Sequence, residues 1–293
     1  MNPSLASKQY REAFRFLSPL LLFLAGFILI PILGTFWDSL HREVSYLPRE
    51  FIGLTNYQAL FRDPAFWQAL RFTLLFVLFS VPLEVIFGLL IALVLNEHFP
   101  LRWLLRACIL IPWAIPAAVS GRIFELIYNY SYGAANYLLR LFHLPVGPVN
   151  WLGSEVGAFA AVVVADAWKT TPFAAIILLA GLSAIPSDLY AQAKVDRARF
   201  DQRFLYITLP LLKPVLLVTL LFRTIDALRV FDIIFVLTGG GPGGSTLSLS
   251  LFSYQFFSTG DFGYGSAISV LLFLLAFALA AGYIRLGGFG REG

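Results

Sequence analysis

Six apolar stretches, at 16–37, 72–95, 104–126, 156–184, 215–237 and 264–284, constrain this chain more than any other feature. A hydrocarbon core about 30 Å thick is crossed by roughly 20 helical residues at 1.5 Å each. Inside it every backbone N–H and C=O must be bonded within the protein, which leaves helices for segments of this length. Composition agrees: 59% of residues are hydrophobic and 13% charged, against roughly 45–50% and about 25% in soluble domains. A soluble fold of this length cannot hide so much apolar surface, 29 phenylalanines included, so lipid must be part of its solvent. The pattern predicts an all-α integral membrane protein with six transmembrane helices in a single domain, 1–293. Its parts are 1–71 (first span and outer loop), a five-helix core at 72–286 and a tail at 287–293. The first stretch is too long for a signal-peptide core, and Phe36, Trp37 and Asp38 follow it in place of small cleavage-site residues, so it reads as a retained helix.

The basic residues give direction. Lys8, Arg11, Arg15, Arg102, Arg106, Lys194, Arg197, Arg199, Arg203, Lys213, Arg285 and Arg291 fall on one side of the six spans. Arg42, Arg49, Arg62, Arg71 and Arg140 fall on the other. The excess of positive charge belongs inside, which predicts cytoplasmic termini and a cytoplasmic 185–213 segment. The Tyr-rich stretch 128–150 and the Gly-rich stretch 239–244 are then external. The net charge of +4 thus reports topology, and nucleic acid is not an expected partner. The one cysteine, Cys108, excludes an internal disulfide or a multi-cysteine metal site; its apolar neighbours suggest a buried thiol.

Ionisable residues at membrane depth are costly and mark function by default. They are Glu84, Arg122, Glu125, Asp166, Lys169, Arg223, Asp226, Arg229 and Asp232. All but Glu84 stand in opposite-sign pairs at i, i+3, on one helix face. Such stripes either neutralise themselves away from lipid or line a hydrated path. For a path, the candidates are Trp113, Arg122, Tyr128, Asp166, Arg223 and Asp226. Pro112 and Pro116 interrupt hydrogen bonding in the third span and predict a kink. The Gly239-Gly240-Gly241-Pro242-Gly243-Gly244-Ser245-Thr246 run lacks the Lys of a phosphate loop and reads as a flexible turn at the outer mouth. His41, His98 and His143 are loop residues outside any H-E-x-x-H or nucleophile-elbow motif, which argues against an intramembrane enzyme. Six spans without internal duplication or a broken-helix pair argue against an autonomous secondary transporter.

The segment after the fourth span stands apart. Pro186 stops that helix and Ser187 is placed to cap a new one, with Asp188 in its first turn, where the helix dipole favours a carboxylate. Leu189, Ala193 and Asp196 share one face; Tyr190, Lys194 and Arg197 share the next. Phe200 and Phe204 stand i, i+4 on a second short helix, which Thr208-Leu209-Pro210 is expected to end. A short amphipathic helix here either lies on anionic headgroups or docks on a partner.

The segment resembles the coupling loop of ABC importer permeases, which in the sugar-permease version runs approximately L-Y-E-A-A-x-I-D-G-A, then Q-x-F, I-T-L-P and L-x-P. Leu189, Tyr190, Ala193, Val195, Asp196, Ala198, Gln202, Phe204, Ile207, Thr208, Leu209, Pro210, Leu212 and Pro214 match. Further likeness lies in Phe51-Ile52-Gly53-Leu54-Thr55-Asn56-Tyr57, Trp168-Lys169 with Pro172-Phe173, Phe231-Asp232, and Leu237-Thr238-Gly239-Gly240-Gly241-Pro242. The chain is thus similar to permease subunits of the maltose/trehalose-type carbohydrate-uptake family. The resemblance implies a type I ABC importer permease architecture with a cytoplasmic coupling helix, in a bacterial inner membrane. Ser187, Leu189, Tyr190, Ala193, Asp196, Arg197 and Ala198 would couple to an ATPase dimer, which would carry ATP and Mg; no cofactor is expected on this chain. A second, homologous permease would complete the pathway, and an extracytoplasmic binding protein, contacting the Gly-rich loop, would deliver a sugar or neutral glycoside. Glycerol phosphate or a polyol is the rival cargo, but the paired intramembrane arginines suit a phosphate less. Two residues depart from the pattern: Ala191 stands where the family usually has a Glu that pairs with the ATPase, and Arg197 where it usually has Gly.

Overall fold

A computed structural model of the chain describes residues 3–143 and 147–287. Residues 144–146 of the Tyr-rich stretch, and Arg291 with the tail beyond residue 287, lie outside the described residues. The helices are α1 (Pro3–Leu24), α2 (Ile30–Asp38), α3 (Thr55–Arg62), α4 (Pro64–Asn96), α5 (Arg102–Ala114), α6 (Ala117–Ile127), α7 (Ala134–Leu141), α8 (Glu155–Ser183), α9 (Ser187–Val195), α10 (Phe200–Arg203), α11 (Leu209–Leu228), α12 (Asp232–Leu237), α13 (Leu249–Thr259) and α14 (Phe262–Gly287). Five continuous helical stretches are long and apolar enough to span, and a sixth is counted if the bent pair α5–α6 is one span. The six expected apolar stretches are therefore helical, two of them in altered form.

The residues fall into two compact units, 1–62 with 253–271, and 63–252 with 272–293. In the first, β1 (His41–Arg42) pairs antiparallel with β2 (Glu50–Phe51). The buried Asn56 amide donates to the carbonyls of Ser39 and His41, each at 2.9 Å. Tyr57 and Ser39 hydroxyls meet at 2.7 Å. The Asn-Tyr pair of the 51–57 motif thus ties α3 back to the end of α2, after a turn that Gly53 makes at φ +57°.

The second unit is built around α4 and α8. Without a hydrophobic drive between helices in lipid, close approach depends on small residues. A Cβ on Gly88 would lie 2.9 Å from Ala174 Cβ, one on Gly181 would lie 2.8 Å from Leu212 Cδ1, and one on Gly121 would lie 3.0 Å from Val236 Cβ. These glycines mark the α4–α8, α8–α11 and α6–α12 crossings. On α5, by contrast, no residue is buried, and Cys108 is exposed rather than buried. In a membrane chain, apolar neighbours along a helix can be lipid-facing and do not imply an interior.

The third stretch is two helices bent by 90°, sharper than the kink expected. Ile115, before a proline, is extended at φ −71°, ψ 132°, and neither Pro112 nor Pro116 has an N–H to continue the ladder. The chain does contain a broken-helix pair. The fifth span also shifts. Phe200–Leu228 is one continuous 29-residue helix, so Thr208-Leu209-Pro210 does not end it, and residues 232–237 form the separate α12 after a break at 229–231.

Just before Pro210 in this helix lies a π-turn at Phe204–Thr208, with Leu209 N–H reaching Phe204 O. The first span has the same device two residues before Pro31: a π-turn at Ala25–Leu29, with Ile30 N–H reaching Ala25 O. A proline both lacks a donor and crowds the carbonyl four residues back. Pro82, Pro172 and Pro214 sit inside α-helices without such a turn, so the π-turn is a local feature of these two spans rather than a requirement of proline.

Candidate functional site

One ion cluster joins the three long helices of the second unit. Glu84 on α4 is fully buried and Arg223 on α11 is 3% exposed. The Arg223 guanidinium uses three nitrogens for three acids. Nε donates to Glu84 Oε2 at 2.5 Å, one terminal nitrogen to Asp226 Oδ2 at 3.0 Å, and the other lies 3.9 Å from Asp166 Oδ2 on α8. The planar guanidinium, with donors on three nitrogens held in a fixed fork, suits an arrangement of three acids around it. The Ser80 hydroxyl bonds to Glu84 and lies 3.3 Å from Asp166. Arg229 closes on Asp226 at 2.7 Å. Buried charges persist when paired and hydrogen-bonded, and here the pairing runs between helices.

The i, i+3 pattern alone described this cluster incompletely. Glu84, which has no such partner in sequence, pairs with Arg223, 139 residues away. Among the described residues Asp166 makes no ion pair with Lys169. Its carboxylate faces Arg223 and Ser80, while the Lys169 ammonium donates to the Trp113 carbonyl at 3.2 Å. Arg229 and Asp232 form no ion pair either, because the break at 229–231 takes them off a common face.

Beside the cluster lies a cavity of about 400 Å³ lined by Trp113, Ala117, Asp166, Lys169, Thr170, Arg223, Asp226, Arg229, Val230, Phe231, Asp232 and Ile233, within the range of small-molecule sites. Three acids and three bases face it, with two aromatic rings. It gathers four of the six path residues expected from sequence: Trp113, Asp166, Arg223 and Asp226. Arg122 and Tyr128 are elsewhere. Arg122 is largely exposed and pairs with Glu125 at 2.5 Å. Tyr128 packs against Phe124 and Trp151, and burial pushes its phenol up to about 12. Lys169, Arg229 and Asp232 were visible as intramembrane charges but not as lining; Phe231 was visible only as part of a family motif, and Thr170 carried no signal before the fold was known.

The segment singled out after α8 forms α9, a turn and α10. Pro186, not Ser187, is the N-cap residue; Ser187 is the first helical residue and its side chain makes no cap bond. Leu189, Tyr190, Ala193 and Ala198 are half-buried, whereas Ser187, Asp196 and Arg197 are exposed. The helix closes with Ala198 N–H on Ala193 O (2.9 Å) and Arg197 N–H on Lys194 O (3.1 Å), a Schellman arrangement with Arg197 in the left-handed position at φ 53°. Gln202 Oε1 accepts from the Arg199 N–H at 2.8 Å. The Tyr190 hydroxyl meets Thr208 Oγ1 at 2.9 Å, fastening α9 to the π-turn. A groove of about 310 Å³ opens beside it, lined by Asp196, Ala198, Gln202, Arg203, Tyr206 and Ile207.

The Gly-rich run is a bonded loop rather than a flexible turn. Gly239, Gly240, Gly243 and Gly244 are left-handed. The fully buried Thr246 meets Thr238 Oγ1 at 2.8 Å and donates to Gly241 O at 2.7 Å. Gln68 on α4 donates to Gly243 O at 3.1 Å.

A polytopic helix assembly with a polar, charge-balanced cavity between its spans defines a membrane transport component. The chain belongs to the binding-protein-dependent transport system inner membrane component family, matched by residues 84–286. It is 52% identical to the trehalose/maltose transport system permease protein MalF of Thermococcus litoralis, over 100% of both chains. It is 42% identical to the sulfoquinovosyl glycerol transport system permease protein SmoG of Agrobacterium fabrum, over 92% of this chain and 88% of that one. Its fold matches a chain of a bacterial alginate ABC transporter, solved in complex with an alginate pentasaccharide-bound periplasmic protein. That match has a TM-score of 0.83 at 21% identity, covering 98% of this chain and 97% of the other. The fold is therefore that of a type I ABC importer permease, and the family consists of transport subunits rather than enzymes.

Proposed function

We propose that this chain forms half of the translocation path of an ATP-driven importer for a neutral di- or oligosaccharide or glycoside. The observation that carries this reading is the cavity. Asp166, Asp226 and Asp232 against Lys169, Arg223 and Arg229 leave no excess cation for a phosphate, while Trp113 and Phe231 offer apolar faces to a sugar ring. A phosphorylated cargo would call for a net excess of positive charge, which the balanced lining does not offer. The name of the 52% identical relative, a trehalose/maltose system permease, points the same way. A second, homologous permease supplies the other half of the path, and an ABC ATPase dimer binding ATP and Mg drives it. A solute-binding protein delivers cargo from outside, in a plasma membrane with both chain termini cytoplasmic.

Energy enters through α9 and the turn that follows, by shape and apolar contact from Leu189, Tyr190 and Ala193 rather than through the usual glutamate, since Ala191 stands in its place. The test is ATPase activity of the reconstituted assembly with its binding protein across sugars, glycosides and glycerol phosphate. Stimulation by a neutral sugar, lost when Tyr190 and Asp196 are replaced, supports the reading. Stimulation by glycerol phosphate alone overturns the cargo, and solute movement without an ATPase partner overturns the mechanism.

A further inference from the structure

The Trp168-Lys169 and Pro172-Phe173 motif of α8 has no role in the ion cluster, yet its side chains converge on the broken span. Trp168 meets Phe124 of α6 edge-on at 5.4 Å. Phe173 stacks on Trp113 of α5, with centroids 5.9 Å apart and planes at 20°. Between them, the Lys169 ammonium donates to the Trp113 carbonyl. That carbonyl is in the last turn of α5, where the extended Ile115 carries the amides that would have continued the ladder away from the axis. A cation at this end also meets the negative pole of the helix dipole.

We infer that Lys169 is a positioning residue: it caps the broken end of α5, fixes the 90° bend, and so sets the Trp113 ring at the cavity wall against which the cargo lies. This rests on the cavity reading above. Lys169 then acts on cargo affinity through Trp113, and α8 grips both arms of the bend, α6 through Trp168 and α5 through Lys169 and Phe173.

Two measurements on the assembled transporter test this. The sole cysteine, Cys108, is exposed on α5, and Leu126 is exposed on α6. Nitroxides on Cys108 and on Leu126→Cys report the separation of the two arms. Lys169→Met is expected to broaden that distribution and Lys169→Arg, which keeps a charged donor, to restore it. A distribution left narrow by Lys169→Met overturns the inference. In solute-stimulated ATPase, Lys169→Met is expected to raise the half-saturating solute concentration about tenfold, the scale of one charge-assisted hydrogen bond. It is expected to add nothing further in a Trp113→Ala background. Independent, additive effects of the two substitutions mean that Lys169 touches cargo directly, which also overturns the inference. Absence of stimulation by any neutral sugar in the unsubstituted assembly would instead count against the proposed cargo, and the spin-label distances still decide the role of Lys169.

Discussion

Replacing Arg223 by Met should be the most damaging single change in the ion cluster, and its cost can be argued from the geometry. Arg223 is the sole cation within 4 Å of Glu84 and Asp166 among the described residues. Glu84 is fully buried, so losing the guanidinium strips a desolvated carboxylate of its charge partner. Breaking a buried pair from one side costs about 3–5 kcal/mol. On the scale of a domain this size, that lowers the thermal midpoint by something on the order of 10 °C. Glu84→Met should cost less, about 1–3 kcal/mol, because Arg223 keeps Asp226 at 3.0 Å. The informative variant is the double. With both removed, the Ser80 hydroxyl keeps Asp166 as its partner, 3.3 Å away, and two apolar side chains fill the space, so one buried acid rather than two is left without its cation. Arg223→Met/Glu84→Met should therefore be more stable than Arg223→Met alone, a non-additivity of several kcal/mol. Thermal midpoints of the four purified forms in one detergent test this. Additive losses, or an Arg223→Met form as stable as the parent, would refute the view that these charges hold α4, α8 and α11 together.

At the α9 turn, Arg197→Gly should stabilise by about 1 kcal/mol, since a side chain at φ 53° is strained by roughly 1–2 kcal/mol. Thermal midpoint and solute-stimulated ATPase, measured together, check that coupling survives the change. Gly88→Ala should cost about 1–3 kcal/mol by overpacking against Ala174, and Gly88→Leu should prevent assembly on size exclusion. Gly282→Ala, where a Cβ meets nothing within 4 Å, should leave both unchanged. Tyr128 carries a pH signature. Its phenol is raised from 10.0 to about 12 by burial, so its contribution to stability is complete below pH 10 and lost as pH rises through 12. Absorbance titration should show a late-ionising tyrosine that Tyr128→Phe abolishes.

How much of this was legible in the sequence depended on the range of the interaction that decides each feature. Span number was legible because it depends on runs of about 20 residues. The α9 turn was legible as a motif, although Pro186 displaced Ser187 from the cap because the fixed proline φ already sets the entry to the helix. Cys108 was misjudged because lipid removes the usual link between apolar surroundings and an interior. The charge pairs were half legible. Arg223–Asp226 at i, i+3 is local and forms, but Glu84–Arg223 is a tertiary choice that no spacing encodes. The third and fifth spans were read as single stretches for a shared reason: hydropathy averages across a backbone break. Pro112 and Pro116 announced a kink but not its 90°, and nothing in the hydropathy marked the end of α11 at Leu228 or the π-turn at Phe204–Thr208.

Those breaks and continuities bear on the coupling role proposed for α9, which lies far along the helix axes from the cavity. Asp166 and Lys169 lie on α8, which runs unbroken to Ser183; Arg223 and Asp226 lie on the continuous helix Phe200–Leu228. At 1.5 Å per residue, the cavity stands about 25 Å along α8 from its end, and about 29 Å along the other helix from Phe204. The connection between these two struts is α9 and its turn, fastened to the second by Tyr190 and Thr208. On the coupling role proposed above for α9, its displacement would travel along both helices to the residues that line one cavity, where Arg223 of the second helix meets Glu84 and Asp166. The helices break beside that cavity, at 229–231 and at the α5–α6 bend, so on that role the wall would yield there first.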